Sequence, residues 1–389
     1  MSDFLSVHHV GGRVRTGEAN VQWVPLGFFS DAIVTYYDAD CDALATMLPI
    51  PGMAATNVFP YCLGERDTDG TLHISFDPFT SSLRAPAPGD PEMHIFADGV
   101  DYVFEAALRS VERRPIQIRA LDGLEEISDG KVPPPDLLVL DTQGTELEIL
   151  RGARNTLATT TIALYIEVEF VEFYAGQSLF GDVAAFLRDL DFDFVGFTSS
   201  VPASRHRLPL GQRGGGSLYG TDSIWLKRVT SIENDSARLA KLAFWATFFA
   251  QPTITIAALQ QLRRIDAAPP ASRRYGRFLG DVLTAVDQMP DILPLRFDEF
   301  FSQQGSAGRF TQMHGAFFET DFAQNAMPVR QALMERQDDL RVLLSDADTP
   351  LEAVMRRYDF NNVADELKQT RLTQTANFLK RLRVTFEKV

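Results

Sequence analysis

A chain of 389 residues, 45% apolar and 23% charged, has the composition of a globular protein and is long enough for two domains of ordinary size. Its net charge of −15 argues against a general nucleic-acid backbone binder, which needs a surplus of Lys and Arg. Its 2 cysteines, Cys41 and Cys62, are too few for a disulfide framework and point to a reducing compartment, although a single bridge between them stays open.

Residues 1–14 show no basic stretch leading into an apolar core, so no secretory signal is read there and a cytoplasmic protein is expected. The run 32–37 is β-branched and aromatic and ends on Asp38 and Asp40, after which 42–48 has helical spacing. Residues 55–61 form a further strand candidate. The segment 66–70 carries turn chemistry, and 71–76 alternates as a hairpin strand would, as does 116–120. Three prolines at 133–135 break the chain ahead of the apolar run 137–140, which ends on Asp141. That run reads as a buried parallel strand delivering an acid to the rim of an α/β sheet, where ligands of such sheets bind. Helix is expected over 146–157 and 180–190, and strand over 161–169, 192–197 and 222–227, with a glycine-rich loop over 211–216. Strands alternating with helices predict a mostly parallel, doubly wound sheet over residues 1–229.

From about residue 230 the texture becomes helical, over 236–250, 255–265, 272–286, 328–344 and 351–358, and finally over 364–386 as a long basic amphipathic helix. A second, all-α domain over 230–389 is expected. The apolar run 239–250 contains Lys241 and is too short to span a bilayer, so it reads as a core helix, and no transmembrane segment is expected.

The stretch Asp141-Thr-Gln-Gly-Thr-Glu-Leu-Glu-Ile-Leu-Arg-Gly-Ala153 resembles the signature of the FkbM-type methyltransferases. Similar segments stand in order along residues 4–228: Ile118-Arg-Ala-Leu-Asp122, Ser81-Ser-Leu83, Ile166-Glu-Val-Glu-Phe170, Phe173-Tyr-Ala-Gly-Gln177 and Thr221-Asp-Ser-Ile-Trp-Leu226. The resemblance implies a Rossmann-like seven-stranded sheet with helices on both faces and S-adenosyl-L-methionine as cofactor. It gives Asp38 the ribose-binding role, since Tyr37-Asp-Ala-Asp-Cys41 is similar to the family's Phe-Glu-Pro-Asp-Pro. It gives the turn Gly11-Gly12 the methionine end of the cofactor, and Ser82 a place beside it. Relatives carry Val-Asp-Val-Gly-Ala at the end of the first strand, where this chain has His8-His-Val-Gly-Gly12. His9 thus stands in the place of an acid and can accept a hydrogen bond but supplies no negative charge.

Asp141 then falls at the methyl-transfer centre, as the base for a hydroxyl acceptor, with Glu146 and Glu167 as supporting acids. A strand-end Asp and a first-turn Glu also have simpler uses, accepting helix N-terminal N–H groups. Asp141 with Glu167 and Glu169 would suit magnesium, but no metal site is assigned. The acceptor implied is a small molecule or glycan. A protein partner or a second copy of the chain would dock through the C-terminal helices. The rival expectation, prompted by the altered first loop, is a catalytically inactive relative that serves as a binding module.

Overall fold

The computed structural model describes residues 3–11, 13, 26, 30–44, 47, 52–87, 94–97, 100–198, 201–204, 217–232 and 234–287. In chain order the strands and helices are β1 (Leu5–Val10), β2 (Ala32–Tyr37), α1 (Cys41–Leu44), β3 (Ala55–Phe59), β4 (Cys62–Leu63), β5 (Thr68–Ser75), β6 (His94–Ala97), β7 (Val100–Val103), α2 (Phe104–Leu108), β8 (Ser110–Arg119), α3 (Glu125–Ser128) and β9 (Leu137–Leu140). There follow α4 (Glu146–Gly152), α5 (Arg154–Thr159), β10 (Ala163–Glu169), α6 (Phe180–Arg188), β11 (Phe192–Phe197), β12 (Val201–Ser204), β13 (Ser217–Lys227), α7 (Ser236–Phe248), α8 (Pro252–Arg264) and α9 (Arg274–Asp287).

One sheet runs β3-β2-β1-β9-β10-β13, with β11 also paired to β13. The first five strands are parallel, and β13 runs antiparallel to both β10 and β11. These seven strands are the expected core. The sheet is wider than expected, because β12, β6 and β7 continue it to ten strands beside the first half of β13. Strand order reverses between β1 and β9, and such a reversal opens a crevice at the carboxyl ends of the strands.

The central strands are apolar on both sides because both faces are covered. Leu138, Leu140, Leu164 and Ile166 pack on α4, α5 and α6. Leu137, Val139, Val34 and Tyr165 pack on α7, α8 and α9. Helix α7 is buried on all sides, as its apolar run foretells. The three helices after residue 230 therefore share a core with the sheet, and the change of texture at 230 marks strands giving way to helices within that core as far as Asp287. The helices expected at 328–344, 351–358 and 364–386 lie outside the described residues.

Two polar links fix this second layer. Lys241 Nζ on α7 meets Asp136 Oδ1, just before β9, at 2.9 Å with both side chains buried, while Asp136 Oδ2 accepts the Ser6 N–H at 2.8 Å. Asp31, just before β2, accepts the Arg274 and Tyr275 N–H groups and so caps α9.

Local departures from the expected elements have physical causes. Asp69 and Gly70 lie inside β5 and not in a hairpin turn, because β5 pairs with β8 while β4 lies on the other side of β8. This three-stranded sheet is inserted between β3 and β9. The helix expected over 146–157 is two helices meeting at Ala153. Gly152 lies so close to the small sheet that a Cβ there would stand 2.0 Å from the Gly64 carbonyl oxygen. Asp122 starts the second piece, taking the Asn155 and Thr156 N–H groups at 2.7 and 2.9 Å. Cys62 is a buried free thiol whose pKa burial pushes up to about 12. Among the described residues no helix is long and apolar enough to cross a membrane.

Candidate active site

A cleft opens at the carboxyl ends of β1, β2 and β9, where the strand order reverses. It is lined by Gly11 after β1, Asp38 after β2, Asp141, Thr142 and Gln143 after β9, and Ser81, Ser82 and Phe79 from the segment that follows β5. Cys62, Leu63 and Leu72 of the inserted sheet close one side.

Gly11 turns the chain over the end of β9. Its φ is +77°, and a Cβ on it would stand 1.8 Å from the Asp141 carbonyl oxygen, so only glycine fits. The Gly11 N–H donates to Tyr37 O at 3.0 Å and the Asp141 N–H to Val10 O at 3.1 Å. The ends of the first, second and fourth parallel strands are thereby stitched into one rim. Gly12 lies outside the described residues.

Asp38 and Asp40 stand two residues apart in different electrostatic settings. Asp40 is paired with Arg13 and, at 3.2 Å, with Arg114 of β8. Asp38 accepts the Asp40 N–H at 2.8 Å. Burial pushes its carboxyl up to about 6, which the Asp40 N–H and Arg13 only partly oppose, and the charges of Asp40 and Asp141 add to the rise.

The loop 141–146 places the acids differently from the sequence expectation. Glu146 is buried and folds back on its own loop. It accepts hydrogen bonds from the Thr142 N–H at 2.8 Å, the Thr142 hydroxyl at 3.0 Å and the Gly144 N–H at 3.0 Å. Burial pushes its carboxyl up to about 7, against those bonds. It is not among the cleft-lining residues, so its place is that of a loop-holder. Glu167, on β10, is likewise not among the lining residues, but Gln143 links it to Asp141, its Nε2 donating to Asp141 Oδ1 at 2.8 Å and to Glu167 Oε2. Tyr174, buried behind the loop, has its one hydroxyl proton between two acceptors, Gln143 Oε1 and the Thr80 carbonyl, each at 2.9 Å. Its hydroxyl is kept protonated, first by burial and then by the charges of Glu167, Glu169, Glu146 and Asp141.

Ser82 lines the cleft, but its hydroxyl donates to the Gln143 carbonyl at 2.7 Å and so holds the loop from the opposite side. His9, expected beside the cofactor, is buried within β1 and is not among the lining residues. Strand alternation turns it to the face of Leu5 and Val7, where its ring meets Tyr36 at 5.7 Å. Burial lowers it to about 4, against the charge of Asp141, so it is neutral.

Sequence reasoning passed over Gln143, Tyr174, His8 and Arg13. His8 is buried on the other face of β1. Its Nε2 donates to the Pro133 carbonyl at 2.9 Å, which leaves Nδ1 to accept the Tyr37 hydroxyl at 3.1 Å. Gln143 and Tyr174 carried a usable signal, by their places inside segments similar to the family. Among the described residues no group of three or more His, Cys, Asp or Glu is arranged to hold a metal ion.

The seven-stranded, mostly parallel core with helices on both faces is the architecture that the resemblance implies. Residues 64–194 match the family model of the methyltransferase FkbM domain, so this part of the chain is similar to that domain. The match contains Ser82, Asp141, Glu146 and Glu167. Gly11 and Asp38 lie ahead of it and take their places from the geometry of β1 and β2. A crystal structure of methyltransferase FkbM from Methylobacillus flagellatus KT is 15% identical, with a TM-score of 0.32, and the alignment covers 58% of this chain and 44% of that one. The chain thus aligns with less than half the length of that protein. No curated protein matches.

Proposed function

We propose that this protein transfers the methyl group of S-adenosylmethionine to a hydroxyl oxygen of a small molecule or glycan. The observation that carries this reading is the meeting of Gly11, Asp38 and Asp141 in one cleft at the point where the strand order reverses. The residues suit this cofactor. It is a sulfonium cation without phosphates, and the cleft offers the carboxylates of Asp38 and Asp141, while the lining Arg13 is paired with Asp40. When bound, the cofactor supplies an electrophilic methyl group.

The chain's own residues do the rest. Asp38, once ionised, presents acceptor oxygens to the ribose hydroxyls. The side-chain-free Gly11 lets the first loop lie against Asp141, so the donor and acceptor sides adjoin. Asp141 takes the proton from the acceptor hydroxyl as the oxygen attacks. General-base catalysis of this kind contributes roughly 10²–10⁴-fold, and alignment of an in-line displacement contributes more. Glu167 stands beside Asp141 as the second acid of the acceptor side, and Glu146 keeps the loop in shape.

Calorimetric titration of the full chain with S-adenosylmethionine and S-adenosylhomocysteine tests the proposal. Binding is expected, and Asp38→Ala should weaken it at least about tenfold, the loss of roughly one charge-assisted hydrogen bond. Asp141→Asn should leave binding of S-adenosylhomocysteine, which lacks the sulfonium charge, intact and abolish its release with a panel of hydroxyl acceptors. Absence of binding at millimolar ligand would overturn the proposal.

A further inference from the structure

Gln143 is held in a conformation that its residue type disfavours. Its φ is +61°, in the left-handed region where a glutamine carries backbone strain, and such strain persists only where the surroundings over-determine it. The surroundings do so here. Both side-chain N–H groups are used, one on Asp141 and one on Glu167. The side-chain oxygen faces the Tyr174 hydroxyl, and the backbone carbonyl accepts from Ser82. The amide orientation follows from chemistry, since its nitrogen faces two carboxylates and its oxygen faces a hydroxyl.

We infer that Gln143 is the positioning residue of the acceptor side: its neutral amide bridges Asp141 and Glu167, setting their separation and keeping both ionised at close quarters. The inference rests on the methyltransferase reading for its catalytic meaning, but not for its test. A bridging amide does two things for a pair of acids. Each N–H favours the ionised form of the carboxylate it touches, and the amide occupies the place where the two would otherwise share a proton. Glutamate at this position would put a third charge between them. The charged and titratable groups around this pair are Asp38 after β2, His9 on β1, Arg13 of the first loop, Glu146 on α4 and the Tyr174 hydroxyl, on which Glu169 of β10 also acts.

The test is a ¹³C-carboxyl NMR titration of Asp141 and Glu167 in the full-length chain, compared with Gln143→Met and Gln143→Gly. Methionine keeps the length and loses both donors. Glycine also relieves the backbone, so failure of one variant to fold does not block the other. At least one of the two carboxyls is expected to titrate upward by about one pH unit in each variant, the loss of one favourable hydrogen bond to a charged form. Titration curves that superimpose on those of the unaltered chain would overturn the inference. Failure of the unaltered chain to bind S-adenosylhomocysteine would overturn the donor reading alone, and the carboxyl titration would still decide the role of Gln143.

Discussion

Asp38 and Asp40 show how one short segment divides its labour. Asp40, neutralised by two arginines, ties the first loop and the inserted sheet to the end of β2. Asp38 is left as a buried carboxyl raised from 3.8 to about 6. A folded-state value above the unfolded one means that the folded chain holds its proton more tightly. The ionised carboxyl therefore costs stability, beginning near pH 4 and reaching its full extent above pH 6, on the order of 2–3 kcal/mol. Asp38→Asn should recover much of that at pH 7.5 and little at pH 4, a difference that denaturant unfolding at the two pH values will show. The same replacement should weaken cofactor binding, and in the unaltered chain that binding should strengthen as pH rises through 6. A destabilising Asn variant would mean that Asp38 is satisfied inside the protein and is not held ready for a ligand.

Among the elements, the short apolar strand β9 was the most legible. Four apolar residues between a proline break and an acid allow few other readings, and the structure places Asp141 at the rim of the cleft. The α4–α5 helix was legible in type but not in its break. The close approach of Gly152 to the Gly64 backbone and the Asp122 cap both come from segments distant in sequence, which periodicity does not register. The acids were legible as a group but not by orientation. Glu146 turns inward because its own loop offers donors, and β1 alternation sends His9 to the side away from the cleft. The link between α7 and β9 makes a testable case at this scale. Burial raises the Asp136 carboxyl to about 6 even with Lys241 beside it. Lys241→Met should cost about 3–5 kcal/mol at pH 8, by leaving a buried charge without its partner. Without Lys241 the Asp136 carboxyl rises further, so the loss should shrink as pH falls toward 6 and level off below it, and urea unfolding at pH 8 and pH 5 would reveal an equal loss if that account were wrong.

For the whole molecule, the question is what the helices after residue 230 contribute. Composition marked them as a separate unit, because texture reads local periodicity and not which face an element covers. In the structure they form the second layer of the sheet as far as Asp287. A chain ended after Val229 would bare Leu5, Val7, Val34, Leu137 and Val139 to water, among others. At roughly 1.5–3 kcal/mol for each large apolar side chain, these losses together exceed the net stability of a typical domain, about 5–15 kcal/mol. Such a chain should aggregate or bind a hydrophobic dye strongly, with no cooperative melting transition. Cooperative melting and retained binding of S-adenosylhomocysteine would show instead that the sheet stands alone.

The cap that Asp31 places on α9 joins positions at opposite ends of the described chain, and it bears on biosynthesis. Among the described residues the last strand ends at Lys227 and the capped helix at Asp287. Translation at about 5–20 residues per second leaves an interval of several seconds in which every described strand has been made but one side of the sheet lacks these helices. The nascent chain passes through a stage at which an apolar surface stands open to chaperones and to neighbouring ribosomes. Slow or stalled synthesis between residues 230 and 287 should therefore reduce the yield of native protein more than a stall within the strands.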